Sequence, residues 1–118
     1  MMDIKRGDIL VVNLPKNDFS VQSGIRPVLV IQNNIGNKYS PTIIVVPLTS
    51  QIKKVNQPTH KVILKEDAIG LKVDSMVLCE QIITIDKRKI KEKIGQITND
   101  IIMKSISKAC SVSLDLGG

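Results

Sequence analysis

An arginine held directly before a proline is the first group with chemical promise, in the stretch Ser23-Gly24-Ile25-Arg26-Pro27-Val28-Leu29-Val30-Ile31-Gln32-Asn33. Pro27 fixes its own φ and biases Arg26 toward extended backbone. Gly24 allows the preceding turn angles that other residues avoid. The branched apolar run after Pro27 reads as a strand buried on both faces. A permanent cation is therefore planted where a loop enters a stiff strand, a good place to hold an anion-binding group. The plain alternative is a surface arginine at a strand edge. Thr49 and Ser50 cluster hydroxyls at the end of another apolar run, or simply cap a turn. His60 is the single histidine; it suits acid–base work near neutral pH or a structural role. Glu80 shares a strand face with Met76, Leu78 and Ile82 by period two, with Gln81 on the other face. A carboxylate among apolar neighbours is either paired or at a site.

The elements that must position these groups are short strands. Gly7 to Leu14 is apolar on both faces and stops at Pro15. A polar loop from Lys16 to Ile25 follows, of a length that is often functional. It contains Phe19, as a lid on the core or a base-stacking platform. Val28 to Gln32 makes the second strand, and Asn33-Asn34-Ile35-Gly36-Asn37 is turn chemistry. Thr42 to Leu48 is the third strand, with Pro47 suggesting an edge or a bulge. His60 to Leu64 is short, and Ser75 to Ile83 is the longest run. Lys87, Arg88, Lys89, Lys91 and Lys93 form a basic cluster, as a solvated turn or as a phosphate-tracking patch. Ile94 to Ile97 is a last short strand. Thr98 is placed to cap a helix that has Asn99 and Asp100 in its first turn. Ile102, Ile106, Ala109, Ser113 and Leu116 line one face of it. The pattern predicts a mainly β fold, a small antiparallel barrel or strongly bent sheet covered by one C-terminal helix.

The bulk composition narrows the function. A chain of 118 residues fits one domain, 1–118, and 42% hydrophobic content suffices for a packed core. Seventeen Lys and Arg against 11 acids leave a net charge of +6, which points to a polyanionic or acidic partner. Aromatics are only 2%, so base stacking cannot be the main grip on a nucleic acid. Cys79 and Cys110 lack metal-ligand spacing and read as buried thiols in a reducing compartment. No stretch approaches a membrane span and the N-terminus lacks an apolar signal core, so a soluble, cytoplasmic protein is expected. None of the common phosphate-loop, zinc or nucleophile-elbow signatures occurs.

The blocks Lys5-Arg6-Gly7-Asp8, Gly24 to Asn33, Pro41-Thr42, Pro58-Thr59-His60, Asp74-Ser75 and Glu80-Gln81-Ile82-Ile83-Thr84-Ile85-Asp86-Lys87 follow one another in this order. In order and spacing the chain resembles the MazF/PemK toxin family, in particular its Gram-positive MazF branch, over almost its whole length. The resemblance implies an SH3-like barrel with a C-terminal helix, assembled as a homodimer and inhibited by a MazE-like antitoxin. It implies the toxin of a type II toxin–antitoxin system, a sequence-specific endoribonuclease acting on single-stranded messenger RNA without metal or other cofactor. In that chemistry the substrate's 2′-hydroxyl attacks the adjacent phosphorus, leaving a 2′,3′-cyclic phosphate and a 5′-hydroxyl end. Arg26 and Thr49 are then the catalytic residues, stabilising the dianionic phosphorane. RNA contacts fall to Phe19, Ser20, Gln22, Asn33, Ser50, Glu80 and Gln81. An arginine side chain is a poor proton acceptor near neutral pH, so solvent or a weak base takes the proton, with His60 and Glu80 as candidates. Two departures remove polar groups near the expected groove. Val21-Gln22-Ser23-Gly24 replaces an acidic residue and a glycine pair, and Ile83 stands where arginine is frequent. The competing expectation is a CcdB-like toxin that poisons gyrase through protein contacts.

Overall fold

The computed structural model describes residues 2–16 and 21–117. Phe19 and Ser20 lie outside the described residues. The elements are β1 (Asp8–Leu14), β2 (Gly24–Val30), α1 (Asn34–Tyr39), β3 (Thr42–Thr49), β4 (His60–Ile63), β5 (Ser75–Leu78), β6 (Ile83–Asp86), β7 (Ile90–Gln96) and α2 (Asp100–Ser113). All strand pairs are antiparallel, in the order β4-β5-β3-β2-β1-β7, with β6 also paired to β3. The sheet is bent rather than closed, since edge strands β4 and β7 are not partners. The expected barrel is therefore an open one, while the β-plus-helix class holds.

The doubly apolar strands bury both faces, as their composition requires. Ile9, Leu29, Val46 and Leu48 pack toward α2, meeting Met103, Ile106, Ala109 and Cys110. Leu10, Val12, Val28, Val30 and Val45 form a second cluster with Ile4, Ile43 and Ile85. The helix cap is Asn99 rather than Thr98: its Oδ1 accepts from the N–H groups of Ile101 and Ile102. Leu116 lies past the helix and is exposed, and Met103 and Cys110 supply the burial expected of Leu116 and Ile102. Cys79 and Cys110 are free and buried. Mutual hydrogen bonding, followed by burial, pushes the Cys79 thiol far above the usual thiol range.

Three local expectations change. The turn expected at Asn33–Asn37 is the start of α1, because the Asn33 side chain accepts from the Gly36 N–H as a helix cap. The last strand begins at Ile90, directly after a 3₁₀ turn over Lys87–Lys89, rather than at Ile94. The long strand expected over Ser75–Ile83 is broken into β5 and β6. The cause lies in β3, which changes partner. Its residues Thr42 to Val45 pair with β6, whereas Leu48 and Thr49 pair with β5. Between Val45↔Ile83 and Leu48↔Val77, Val46 and Pro47 face a longer span from Leu78 to Ile82. The surplus residues are extruded, and they include Glu80 and Gln81. Pro47 brings no N–H to this gap, so the missing ladder bond does no harm there. Pro47 thus marks a bulge, as expected, but inside the sheet rather than at its edge.

Candidate active site

The site opens where two paired strands part. β2 pairs with β1 from Gly24 to Leu29 but with β3 only from Val28 to Val30. Continuing the Val28↔Pro47 register by two steps sets Arg26 opposite Thr49, at the point where no ladder joins them. Gly24, at φ +77°, provides the positive-φ turn that leads into this free segment. A cleft of about 690 Å³ occupies the gap, lined by Arg26, Thr49, Ser50 and Gln51. Leu48, Leu71 and Ile94 contribute apolar lining, and Gly70, Lys72, Val73, Glu92 and Lys93 also line it.

The two principal side chains are oriented by short local bonds. Arg26 Nε donates to the Ser23 carbonyl at 3.0 Å in an exposed setting. That bond anchors one edge of the guanidinium and leaves its terminal nitrogens for a ligand. Thr49 Oγ1 accepts from the Gln51 N–H at 3.1 Å. Its lone pair is engaged, so its O–H is disposed to donate outward. A planar cation and a hydroxyl donor facing each other across a cleft are suited to phosphate oxygens.

Lys93, which lines the cleft, is held by the N-terminal segment. Lys93 Nζ lies 2.9 Å from Asp8 Oδ2, whose side chain is 1% exposed. The same oxygen accepts from the Lys5 N–H at 2.8 Å. Arg6 donates to the Ile31 carbonyl and to Ser107 Oγ, tying the N-terminal segment to β2's exit and to α2. The Lys5-Arg6-Gly7-Asp8 block is therefore a brace under the cleft. Gly70 and Gly95 press backbone to backbone: a Cβ on Gly70 would be driven into the Ile94 carbonyl, and one on Gly95 into the Ile69 carbonyl.

A second cleft of about 230 Å³ is lined by Leu14, Val21, Gln22, Pro47, Glu80, Gln81, Ile82 and Ile83. Gln22 lines both clefts, and its N–H donates to Gln81 Oε1 at 2.9 Å. Glu80 is not the carboxylate among apolar neighbours that period two implied. The extrusion turns it outward, where Oε2 meets His60 Nε2 at 2.9 Å.

Of the expected site residues, Arg26, Thr49, Ser50 and Gln22 meet in the larger cleft, and Gln22, Glu80 and Gln81 meet in the smaller. Asn33 joins neither; its side chain caps α1. Phe19 and Ser20 are not among the described residues. His60 lines neither cleft, and both its ring nitrogens face acceptors, Glu80 Oε2 and the Lys54 carbonyl at 3.1 Å. Its ring sits against Glu80 rather than in the cleft of Arg26 and Thr49. Gln51, Lys72 and Lys93 line the larger cleft without having been singled out. Lys93 lay inside the basic cluster, but nothing local distinguished it from its neighbours; its pairing with buried Asp8 does. Among the described residues no three His, Cys, Asp or Glu side chains converge as a metal-ligand group.

Comparison with known proteins agrees with this geometry. Endoribonuclease EndoA of Bacillus subtilis is 45% identical over 115 residues, covering 98% of this chain and 97% of that protein. Endoribonuclease MazF of Staphylococcus saprophyticus is 44% identical over 113 residues, covering 96% and 92%. A mycobacterial endoribonuclease solved in complex with its cognate antitoxin has the same fold, with a TM-score of 0.78 at 23% identity and 98% coverage of both chains. The family model for PemK-like, MazF-like toxins matches residues 5–113. With parted strands that set arginine against threonine, and with these relatives over nearly its full length, the chain belongs to the PemK-like, MazF-like toxins of type II toxin–antitoxin systems.

Proposed function

We propose that this toxin is a sequence-specific endoribonuclease that cuts single-stranded messenger RNA at the Arg26–Thr49 cleft. The observation that carries the reading is the register that sets Arg26 and Thr49 across a gap where no ladder bond joins β2 to β3. The names of the relatives from Bacillus and Staphylococcus support the activity.

The substrate's 2′-oxygen attacks the adjacent phosphorus as the bond to the 5′-oxygen breaks. The products carry a 2′,3′-cyclic phosphate and a 5′-hydroxyl. Charge grows on the non-bridging oxygens as the phosphorane forms. Arg26 donates to them through its terminal nitrogens, and Thr49 through its hydroxyl. Solvent takes the 2′-hydroxyl proton and gives one to the departing 5′-oxygen, and His60 lines neither cleft. Ser50 and Gln22 bind the RNA beside the scissile phosphate, and Glu80 and Gln81 read an unstacked base in the smaller cleft. Phe19, Ser20 and Asn33 remain candidate RNA contacts, Asn33 through its backbone, since its side chain caps α1. The protein acts in the cytoplasm as a homodimer. Its partner is a MazE-like antitoxin, whose acidic segment is attracted by the net charge of +6.

The test is incubation of the purified protein with a mixed RNA pool in EDTA, followed by sequencing of the new ends. Discrete cuts with 5′-hydroxyl ends are expected, with none in an all-deoxy pool. Equal cutting of the deoxy pool, or intact RNA, overturns the reading.

A further inference from the structure

We infer that His60 is a positioning residue for base selection, acting through Glu80 rather than on the reacting atoms. The inference rests on the reading of the smaller cleft as a base-recognition site.

Among the described residues, positions 80–82 pair with no residue of β3. An acidic side chain on such a segment would sample many rotamers, and ordering it on binding would weaken discrimination. Two bonds oppose this. Gln81 is held by the Gln22 N–H, and Glu80 by His60 Nε2. His60 is well placed to be the fixed member of its pair. Its side chain is 8% exposed against 37% for Glu80. It opens β4, where its residue pairs with Leu78, the last residue before the extrusion. The Cys79 N–H also donates to the Thr59 carbonyl at 2.9 Å, so β4's start and the base of the extrusion move together.

The ring is fixed from its other side by the polar loop 51–59. Nδ1 meets the Lys54 carbonyl, and Lys54 itself adopts φ +53°, a conformation that a lysine rarely adopts. The loop turns on bonds from the Gln57 N–H to the Lys54 carbonyl and from the His60 N–H to the Gln57 carbonyl, at 3.1 and 3.0 Å. One imidazole thus joins the loop to the carboxylate. Among the described residues only Oε2 of Glu80 is engaged; Oε1 can accept from an exocyclic amine or ring N–H of a base. With His60 in place, this acceptor has one orientation.

The half-ring variants separate this role from others. Asn reproduces the Nδ1 side of the ring and keeps the Lys54 contact. Gln reproduces the Nε2 side and keeps the Glu80 contact. Each purified variant is incubated with a random-sequence RNA pool, and the base preference at every position around the cut is read from the new ends. His60→Ala and His60→Asn are expected to flatten the preference at one position by roughly five- to hundredfold, while the cut rate at saturating RNA stays close to wild type. His60→Gln should retain the preference. In a Glu80→Ala background, His60→Ala should add nothing.

Equal loss of rate at saturating RNA in all three His60 variants, with the preference intact, overturns the proposal. So does His60→Asn matching wild type in preference while Glu80→Ala does not, and this outcome leaves base recognition by Glu80 standing. If Glu80→Ala itself leaves every preference unchanged, the recognition reading of the smaller cleft fails and the His60 proposal with it. Should His60→Ala not fold, the Asn and Gln variants decide alone.

Discussion

The two clefts are made in opposite ways from the same strand. At Arg26 and Thr49, β2 and β3 stop pairing, and the site is the space between two stiff backbones. At Glu80 and Gln81, the partner of β3 is interrupted by surplus residues, and the site is built from what is pushed out. The first holds its groups by strand geometry, with only one bond to the Arg26 head. The second has no strand geometry to use and relies on side-chain ties to His60 and Gln22. A step common to every substrate is thus set on rigid backbone. On the proposed reading, base choice is set instead on the segment extruded opposite β3.

Breaking the first region should have the largest effect. Arg26→Ala is expected to lower kcat by about 10²–10³, the loss typical of one transition-state donor, roughly 3–4 kcal/mol. The melting temperature should not change, since the side chain is exposed; a rate near wild type would refute the charge-stabilising role. Arg26→Lys should recover only part of the rate, because a point charge lacks the fork. Thr49→Val, measured by single-turnover cleavage, should cost less, about tenfold to a hundredfold, and Thr49→Ser should restore most of it. The difference between the clefts then appears in what is lost: rate at the first, base preference at the second.

Stability changes sharpen the contrast further. Gly95→Ala should destabilise by roughly 1–3 kcal/mol in urea melts, because its Cβ would collide with the Ile69 carbonyl. The smallest effect concerns the end of β6. Arg88 holds the Asp86 carboxyl down at about 2, through its side-chain hydrogen bonds first and its backbone N–H second. A carboxyl depressed in the folded state contributes stability above its ordinary value and loses it as pH falls toward the depressed one. The wild type should therefore lose a small advantage over Arg88→Ala between pH 4 and 2. Arg88 is exposed and Asp86 partly so, so the change in melting temperature should be slight and should vanish in high salt.

Much of this was legible from residue pattern. Runs such as Val28 to Val30 are apolar at every position, which only a strand buried on both faces tolerates. The Arg-Pro junction gave Arg26 extended backbone because its restraint is local, but β2 already begins at Gly24, so Arg26 lies within the strand rather than in a loop before it. The break at Cys79–Ile82 was hidden, since Met76, Leu78 and Ile82 keep alternating as if the strand ran on. What ends the strand is the partner change of β3 opposite Pro47, a long-range fact. Asn33 was misjudged for a related reason: an asparagine before a glycine-containing segment suits a turn and a helix cap equally. The pairing of His60 with Glu80 spans 20 residues of sequence and has no periodic signature.

The glycine seam behind the larger cleft has a consequence for the breadth of that cleft. Where the 68–71 connector lies against β7, two positions without side chains let one main chain rest on another. That contact sets how far Leu71, Lys72 and Val73 stand from Arg26. Part of the cleft is therefore gauged by atoms that are missing, main chain against main chain, while Arg26, Lys72 and Lys93 line it with side chains.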